Sequence, residues 1–532
     1  MAEYDYVIVG GGSAGCVLAN RLSADPSVSV ALVEVGGRDR HPYIHMPKGI
    51  GKMMSMPSLM WHYLIKSGPH NKVQPDLWLR GKVLGGSSSV NGMVWVKGQP
   101  ADYEELADLA GAHWGWDNFA RAFEAIESHE LGAAPSRGGS GPVRVTLPAV
   151  RSALTEAMMA AGGSIGWPVK ADVNEPDDGE GIGLMPCSIW RGKRQSAAVA
   201  FLRPVESRSN LTVITGALTE KLLLDGKRAT AIRVIENGAA REIAARREII
   251  LAAGAVASPG ILERSGIGDP SLLDALGIAV AHALPGVGNN VTEHRAIRMQ
   301  WRLKRPLSLN REFSGPRLVF NLARYYLTRK GPMTGAAIEM RAAFRSSPQR
   351  NRADIQTQIG LFSWDMDGEG GALERDHGFC ALSYPIAPAS QGSVHIASRD
   401  PRLPPEIDAG YGAVAEDRHR TLLAARRLRE WAATEPLASL IECETVPGPG
   451  ATSDEAILEC MDRYGTAGLH TVGSCRMGKD EASVVDPSLR VRGIDGLRVI
   501  DASVFPVIPS GNTNAPVMAL AWLASDMIES GG

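Results

Sequence analysis

Short apolar runs that stop at glycine or at an acidic residue mark the beginning of the chain. Residues 4–9 are almost all aromatic or β-branched and stop at Gly10. Apolar positions then repeat with a helical period over residues 13–24, and a second apolar run at 28–33 stops at Glu34. This pattern predicts a strand, a tight turn, a helix and a second strand, which is how a doubly wound α/β domain begins.

Two later apolar runs are of the same type, since residues 248–252 stop shortly before Gly254 and residues 497–500 stop at Asp501. If these runs join the first two strands in one parallel sheet, the domain is discontinuous and the intervening residues form an inserted unit. Apolar and polar residues alternate in several segments of that insertion, which is typical of antiparallel strands: 297–303, 354–362 and 393–397.

The composition excludes several classes of protein. The 532 residues are 44% hydrophobic and 21% charged, as in ordinary globular proteins. The 56 Lys and Arg residues nearly balance the 58 Asp and Glu residues, so the net charge of −2 indicates no nucleic-acid partner. The six cysteines show neither C-x-x-C nor zinc-ligand spacing, and we assign no metal. Without a leader-like N-terminus or an apolar run of about 18 residues, the sequence predicts a reduced, cytoplasmic protein.

The first turn has the spacing of a dinucleotide-binding motif. Gly10, Gly12 and Gly15 follow a predicted strand and open a predicted helix, so backbone N–H groups and the helix dipole can face a pyrophosphate. Glu34 comes nineteen residues after Gly15, where a carboxylate accepts hydrogen bonds from ribose hydroxyls and repels a 2′-phosphate. A Gly-rich turn with only a structural role is the alternative, and these residues alone suit nicotinamide and flavin dinucleotides equally.

A second segment rich in glycine and serine spans residues 80–93. Gly85, Gly86 and Ser87 combine small side chains with many donors, which suits close approach to a flat ring and a phosphate, although a Ser-rich turn is the simpler alternative. The segment resembles the first signature of the glucose-methanol-choline (GMC) flavoprotein oxidoreductases, and residues 254–268 are similar to the second signature. With the N-terminal glycines, these motifs occur in the family's order.

The resemblance implies an α/β fold, α+β overall, with a Rossmann-like FAD-binding domain and a substrate-binding domain on a mostly antiparallel sheet. We expect the FAD-binding domain at 1–150, 191–296 and 461–532, and the substrate-binding domain at 151–190 and 297–460. FAD is the implied cofactor. The position at which some relatives carry a flavin-linked histidine is similar to Val90, which has no nucleophile, so we expect FAD to bind non-covalently.

His470 lies among small residues, between Gly468 and Gly473. Without context, a lone histidine in such a run is more often a core residue than a catalytic one. The family places its active-site histidine in a segment similar to this one. The resemblance therefore implies that His470 accepts the hydroxyl proton of an alcohol, a task that suits imidazole near neutral pH.

Asn512 resembles the position at which the family usually has histidine or asparagine. Its carboxamide can donate a hydrogen bond to the substrate oxygen without titrating. A local interpretation is compatible with this role: Thr513 or Asn514 can cap a helix that Pro516 begins and that runs over 517–527. The dipole of that helix would favour an anionic reduced flavin ring.

The resemblance assigns further residues to the FAD site. Asp501 resembles a family residue near the ribitol and pyrophosphate, although a turn at the end of a strand also explains an aspartate. The residues that we expect to contact FAD are Gly10, Gly12, Ser13, Ala14, Gly15, Glu34, Arg80, Gly85, Gly86, Ser87, Asn91, Gly92, Val94, Leu218, Gly254, Asp501, Ala502, Thr513 and Pro516.

The implied activity is oxidation of a small-molecule alcohol to an aldehyde or ketone by hydride transfer to flavin N5. Reduced FAD then passes electrons to a quinone or dye, or to oxygen. The chain looks most like the bacterial choline-dehydrogenase-like branch, so we expect a dehydrogenase rather than an oxidase. Two alternatives remain, a GMC-fold hydroxynitrile lyase with an idle flavin and an NAD-dependent dehydrogenase. The sequence does not identify which of the candidate pocket residues contact substrate: Trp190, Met340, Phe362 or Trp364.

Residues 302–330 form a basic stretch with eight Lys or Arg residues and one acid, and residues 318–327 within it are amphipathic and aromatic. Such a helix can lie on an anionic membrane surface, but a solvated face is the more common role, so peripheral membrane contact is not the favoured interpretation. Nearby, Glu339 could face the pocket, although a surface salt bridge with Arg341 or Arg345 is the expected role.

Overall fold

The computed structural model describes residues 2–73, 75–148, 151–366 and 372–531. Two seven-stranded sheets organise these residues, one with a parallel centre and one antiparallel. Their strands alternate along the chain, as expected for one domain inserted into another. This mixture of sheets and helices confirms the predicted fold class, whereas the domain boundaries stay a prediction.

The first sheet has a parallel centre whose strands are buried on both faces. Its apolar residues are therefore continuous rather than alternating, and every residue of Val30–Glu34 is buried. From edge to edge the strands are Leu211–Thr215, Val30–Glu34, Ala2–Val9, Ala239–Leu251, Arg228–Glu236 and Ala217–Asp225, and Leu497–Val499 pairs with the end of Ala239–Leu251. The sheet confirms the strands predicted at 4–9, 28–33, 248–252 and 497–500.

Helices cover this sheet. Ser13–Leu22 confirms the helix predicted at 13–24 but ends earlier, where the hydroxyl of Ser23 donates to the carbonyl oxygen of Ala19. It packs against Asn514–Glu529, which packs against Trp116–Ile126. The other α-helices of the described residues are Pro42–His45, Ile50–Met53, Pro100–Ala110, Ala153–Ser164, Ala257–Arg264, Pro270–Ala275, Gly315–Thr328, Ala415–Ala432, Leu437–Leu440 and Asp454–Tyr464.

The second sheet is antiparallel throughout. Its strands, in spatial order, are Ile441–Val446, Arg295–Leu303, Gly378–Pro385, Ile355–Gly360, Met340–Phe344 and Gly181–Leu184, and Thr466–Ala467 pairs with the start of Arg295–Leu303. A separate aromatic core lies under it, in which Trp167 stacks on Phe344 with ring centroids 4.7 Å apart and contacts Trp431 at 6.2 Å. The strands predicted at 297–303 and 354–362 belong to this sheet.

The third alternating segment, 393–397, lies outside this sheet. Ser393–His395 pairs only with Glu406–Asp408. The reason is Glu263 on helix Ala257–Arg264, whose carboxylate contacts Nδ1 of His395 at 2.7 Å and accepts from the N–H of Ile396 at 2.8 Å. A buried acid thus holds this segment against the side of the first sheet.

Short elements complete the architecture. The remaining strand pairs are Met60–Leu64 with Leu77–Gly81, Glu127–His129 with Val143–Val145, Ile189–Trp190 with Lys193–Arg194, and Ile267–Gly268 with His282–Ala283. The six cysteines are all unpaired. Among the described residues, no helix combines the length and the apolar character that crossing a bilayer requires.

Candidate active site

The glycine turn after Ala2–Val9 is shaped by close backbone contacts. Gly10 has φ +106°, and a Cβ there would lie 2.4 Å from the carbonyl oxygen of Ala252. A Cβ on Gly15 would lie 1.9 Å from the carbonyl oxygen of Gly10. Helix Ser13–Leu22 begins beyond this turn, and no side chain caps its first N–H groups. The turn therefore presents a helix N-terminus that can receive an anionic group.

Glu34 is buried at the end of the neighbouring strand. Its two carboxylate oxygens accept hydrogen bonds from the backbone N–H groups of Gly11 and Gly36, both at 2.8 Å. Burial raises the pKa of this carboxyl to about 7, because two amides only partly replace the water that the charged form loses. Each carboxylate oxygen keeps a second lone pair, so Glu34 can still accept from a sugar hydroxyl.

The second glycine segment lies directly against the first. Gly86 has φ +52°, and a Cβ on it would lie 2.6 Å from Cα of Gly12. The buried guanidinium of Arg194 holds this segment by donating to the carbonyl oxygens of Ser88 at 3.2 Å and Asn91 at 2.7 Å. No local pattern in the sequence marks Arg194 as a partner of this segment.

A cavity of about 550 Å³ connects both glycine segments with His470 and Asn512. Most of the residues predicted to contact FAD line it: Gly10, Gly12, Ser13, Ala14, Glu34, Arg80, Gly86, Ser87, Asn91, Gly92, Val94, Leu218, Gly254, Asp501, Ala502 and Thr513. The structure thus brings together residues that are up to five hundred positions apart in sequence.

Three predicted residues lie behind the cavity wall rather than on it. Gly15 supports the turn from beneath Gly10, as described above. Gly85 has φ +87°, and a Cβ there would lie 2.2 Å from Oγ of Ser89. Pro516 is buried within helix Asn514–Glu529. These residues shape the cavity through the backbone.

His470 and Asn512 face each other on the cavity wall. Nδ2 of Asn512 donates to Nε2 of His470 over 2.8 Å. The backbone N–H of His470 donates to Oε1 of Glu293 at 2.8 Å, and Oδ1 of Asn512 accepts from Nε2 of Gln358 at 3.0 Å. Gln358 also contacts the hydroxyl of Tyr384. Each member of the pair is thus held in place from behind.

The tautomer of His470 follows from the hydrogen bonds behind its ring. Nε2 of His294 lies 2.6 Å from the carbonyl oxygen of Ile386, which can only accept, so Nε2 carries the proton of the neutral His294 ring. Nδ1 of His294 is then an acceptor, and Nδ1 of His470, 2.9 Å away, donates to it. Because a neutral imidazole has one N–H, Nε2 of His470 is the acceptor of the ring, and its lone pair accepts from Nδ2 of Asn512.

Burial keeps both rings neutral. It holds the pKa of His470 well below its usual range, with smaller contributions from His294 and Arg80, and it lowers the pKa of His294 to about 4. A neutral imidazole with a lone pair on a cavity wall can receive a proton from a bound molecule.

Glu293 connects His294 and His470 with Arg80, the cationic side chain on the cavity wall. It accepts from the backbone N–H groups of His294 and His470 and from Oγ1 of Thr471, at 2.9, 2.8 and 2.6 Å. Its Oε2 lies 3.6 Å from the guanidinium of Arg80, which also donates to Thr471 at 2.5 Å. The charge of Arg80 is therefore balanced by a fully buried carboxylate.

The C-terminal helix differs from its prediction at the first turn. It spans Asn514–Glu529, two residues earlier than the predicted start at Pro516, and the side chain of Thr513 makes no capping hydrogen bond. The predicted side-chain cap is therefore wrong. Oδ1 of Asn514 instead accepts from Oγ of Ser13 at 2.8 Å. This bond joins the N-termini of two helices at the cavity.

Asp501 stabilises a turn at the end of its strand and also lines the cavity. Its carboxylate accepts from the backbone N–H of Gly254 at 2.8 Å and from Oγ of Ser258 at 2.6 Å. It also accepts from the N–H of Ser503 and so caps the short turn Ala502–Val504. It lines the cavity at the same time.

Glu339 is neither a pocket residue nor a partner of Arg341 or Arg345. It is buried and does not line the cavity, and its carboxylate pairs with Lys48 at 3.0 Å. Arg341 instead donates to Gln356. The pocket candidates are also absent from the cavity wall: Trp190, Met340, Phe362 and Trp364.

The residues that orient His470 were missed because no local pattern marks them. His294 and His470 are 176 positions apart, and Gln358 precedes Asn512 by 154. His294 directly precedes strand Arg295–Leu303, whose register with Thr466–Ala467 brings the two histidines together. Only the pairing of distant strands reveals this cluster.

The cavity fits an extended dinucleotide. Any side chain at Gly10 or Gly86 would collide with the backbone that forms the cradle, and two helix N-termini without side-chain caps supply donors for phosphates. Glu34 supplies an acceptor for a ribose. FAD has each of these parts.

Comparisons with known proteins identify the family. The family model described as GMC oxidoreductase matches residues 4–296 with its N-terminal part and residues 388–521 with its C-terminal part. The chain is 36% identical over 530 residues to an alcohol dehydrogenase (acceptor) of Pseudomonas putida, covering 99% of this chain and 95% of that protein. It is also 36% identical over 540 residues to an oxygen-dependent choline dehydrogenase of Chromohalobacter salexigens, with coverage of 99% and 95%.

Solved structures of oxidoreductases share the fold of this chain over nearly its whole length. Pyridoxine 4-oxidase from Mesorbium loti superposes with a TM-score of 0.90 at 31% identity, over 99% of each chain. An FAD-dependent oxidoreductase from Chaetomium thermophilum superposes with a TM-score of 0.89 at 25% identity, again over 99% of each chain. The family and the FAD inferred from the sequence are thus confirmed, and the chain belongs to the GMC oxidoreductases as an FAD-dependent enzyme that acts on CH–OH groups.

Proposed function

We propose that the protein oxidises a small-molecule alcohol to an aldehyde or ketone, with His470 as the base and Asn512 as a donor to the substrate oxygen. The position of Nε2 of His470 carries this proposal: it keeps its lone pair, and it lies on the cavity wall 2.8 Å from Nδ2 of Asn512. An alcohol that reaches both atoms donates its proton to Nε2 and accepts from Nδ2, which replaces their direct hydrogen bond.

The residues on the cavity wall suit the parts of FAD. The first turns of helices Ser13–Leu22 and Asn514–Glu529 would hold its charged groups, and Glu34 would accept from its ribose. Bound FAD supplies the acceptor for the hydride that leaves the carbinol carbon.

The proton follows a separate route through the chain's own residues. As the hydroxyl proton moves to Nε2, His470 becomes an imidazolium, and the Nδ1 atom of His294 continues to accept from its Nδ1–H. Asn512 donates to the oxygen as negative charge develops on it. Because burial holds the pKa of His470 well below its usual range, the imidazolium loses this proton to solvent water once the carbonyl product has left.

We favour a quinone or dye as the electron acceptor, rather than oxygen. Reaction of a reduced flavin with oxygen is helped by a persistent positive charge that stabilises superoxide. Burial lowers the pKa of His470 and so disfavours a lasting positive charge on its ring, and the carboxylate of Glu293 lies 3.6 Å from the guanidinium of Arg80; both support a dehydrogenase. Stopped-flow reoxidation by air-saturated buffer and by a quinone analogue compares the two; rapid peroxide formation with oxygen would contradict this assignment.

Non-covalent binding of FAD is supported by Val90, which lies on the cavity wall and has no nucleophilic atom. We predict that acid precipitation of the holoenzyme leaves the yellow flavin in the supernatant. A fluorescent flavin band that migrates with the protein on a denaturing gel would contradict this prediction.

Anaerobic reduction of the bound flavin tests the activity directly. The panel should include aliphatic, benzylic, furanic and sugar alcohols, together with choline and pyridoxine, for which two of the similar proteins are named. Bleaching of the oxidised-flavin band by an alcohol supports the proposal. Cyanide release from a cyanohydrin without bleaching would favour the lyase instead.

A further inference from the structure

Helix Gly315–Thr328 exposes an apolar stripe instead of burying it. The helix packs on the protein through Leu318, Leu322 and Tyr325. The opposite face carries Val319, Phe320, Ala323, Tyr326 and Leu327, which recur at the spacing of one helical face. Phe320 is 65% exposed and Leu327 is 84% exposed. Large apolar residues grouped on a surface mark a site of interaction.

A second element brings a tryptophan to the end of this helix. Strands Ile189–Trp190 and Lys193–Arg194 form a hairpin, and a Cβ on Gly192 at its turn would lie 2.8 Å from the carbonyl oxygen of Arg329, which ends the helix. Trp190 is 40% exposed. We call the exposed apolar residues of this helix and of the hairpin that adjoins its end the apolar patch: Trp190, Val319, Phe320, Tyr326 and Leu327.

Positive charge surrounds the apolar patch. The guanidinium groups of Arg144 and Arg191 lie 5.7 and 5.5 Å from the ring centre of Trp190. Further exposed basic residues flank the helix and the hairpin: Lys193, Arg317, Arg324, Arg329 and Lys330. Residues 313–338 contain no acidic residue, and Glu312, just before the helix, pairs with Arg317 at 3.4 Å. The apolar patch is therefore bordered by an excess of positively charged side chains.

We propose that the apolar patch docks on an anionic lipid bilayer. A helix that lies in the membrane interface buries its apolar face among acyl chains while its Lys and Arg residues meet anionic headgroups, and tryptophan prefers this interface. A second copy of the chain is the less suitable occupant. A twofold contact would place the same basic rims opposite each other, and like charges repel.

The docked surface lies beside the cavity. Tyr325, on the packed side of the helix, donates its hydroxyl to the carbonyl oxygen of His45 at 3.4 Å, and the chain continues from there to Ile50 and Met54 on the cavity wall. A bilayer that binds this helix therefore lies next to the residues from His45 to Met54, which reach the cavity wall. The inference does not depend on the proposed function, because lipid binding is measured without turnover.

Co-sedimentation of the holoenzyme with lipid vesicles tests the proposal. We expect binding to vesicles of phosphatidylcholine with one part in three of phosphatidylglycerol, loss of binding as salt is raised, and little binding to phosphatidylcholine alone. The double variant Phe320→Ser/Leu327→Ser should bind at least about tenfold more weakly. The double variant Arg324→Gln/Lys330→Gln should also weaken binding and should flatten its salt dependence.

A matched control is Val169→Ser, which removes an apolar side chain that is 57% exposed on a different element. It should bind vesicles as the wild type does, and flavin absorbance reports that each variant is folded. Failure of the wild type to bind anionic vesicles would overturn the proposal, as would equal binding by Phe320→Ser/Leu327→Ser. A dimer in sedimentation equilibrium that this variant abolishes, without vesicle binding, would assign the patch to a second copy instead.

Discussion

Nε2 of His470 is free to accept a proton because Nδ1 of the same ring donates to His294. In the other tautomer, an N–H at Nε2 would face the donor Nδ2 of Asn512 at 2.8 Å, which places two donors in contact. The hydrogen bonds on both sides of the ring therefore select the same tautomer. The neighbours of His470 therefore orient the proposed base through hydrogen bonds on both sides of its ring.

His470→Ala should keep its FAD but lose at least about 100-fold in the rate of anaerobic flavin reduction, since a general base is removed. Asn512→Ala should lose about 10-fold, because the donor to the oxygen is lost while the base stays. Stopped-flow absorbance measures both rates. His419→Ala, at an exposed helix position, is the control and should match the wild type. Reduction of His470→Ala at the wild-type rate would rule out the assignment.

His294→Phe should slow flavin reduction about 10- to 100-fold, because the acceptor that fixes the tautomer of His470 is lost. Phenylalanine keeps the ring contact with Tyr384, whose centroid lies 4.5 Å away. His294→Gln supplies a new acceptor and should restore part of the rate, with substrate affinity little changed. Equal losses in both variants would indicate a structural role for His294 instead.

The pH dependence of flavin reduction reports the pKa of His470 directly. A pKa lowered by burial means that the folded enzyme keeps the neutral ring to more acidic pH than an exposed histidine does. The rate should therefore stay constant from neutral pH to well below 6.5 and should fall only as the ring gains its proton. A rate that has already declined by half at pH 6.5 or above would be inconsistent with this environment.

At the scale of elements, the turn at Gly10–Gly15 and the segment around Gly86 can pack together because glycine leaves no side chain between their backbones. Gly86 approaches Cα of Gly12, and Gly10 approaches the strand that ends at Leu251. The sequence predicted the first turn, since a glycine cluster after an apolar run is a local pattern, whereas a Ser-rich turn is only the alternative interpretation of the second segment. The sequence did not predict that Arg194, more than a hundred residues away from Ser88, holds the second turn.

Gly86→Ala should lower the affinity for FAD at least about tenfold. The new Cβ would lie 2.6 Å from Cα of Gly12, and alanine at φ +52° costs about 1 kcal/mol in addition. Titration of the apoprotein with FAD measures the affinity, and thermal unfolding measures stability. Gly51→Ala is the control, since no atom lies within 4 Å of its Cβ position. Unchanged FAD affinity in Gly86→Ala would show that the cradle tolerates a side chain.

Helices and strands could be predicted from the sequence where burial alone determines their pattern of apolar residues. The strand Val30–Glu34 is apolar throughout because it is buried on both faces, and helix Ser13–Leu22 follows from its period. Ser393–His395 has the alternation of a sheet strand, yet the buried carboxylate of Glu263 decides where it lies. Helix Asn514–Glu529 begins two residues before Pro516, since the N–H of Val517 donates to the carbonyl oxygen of Thr513.

At the scale of the whole molecule, the resemblance to a family identified the cofactor and the reaction class, while the residues alone left nicotinamide and flavin open. The His470 and Asn512 pair could be expected from motifs. The hydrogen bonds that orient the pair could not, because they join strands whose order in space differs from their order in sequence. The domain boundaries and the choice of alcohol substrate also depend on contacts between residues far apart in sequence, so the sequence alone does not determine them.

The central sheet also constrains how the protein is made. Strand Ala2–Val9 leaves the ribosome early, but its partner Ala239–Leu251 follows more than two hundred residues later, and Leu497–Val499 and helix Asn514–Glu529 follow later still. Until those segments emerge, the nascent chain holds unpaired strand edges and apolar faces that invite aggregation. The cavity wall is complete only after synthesis has passed Asn514, so the chain can enclose a flavin only at that late stage.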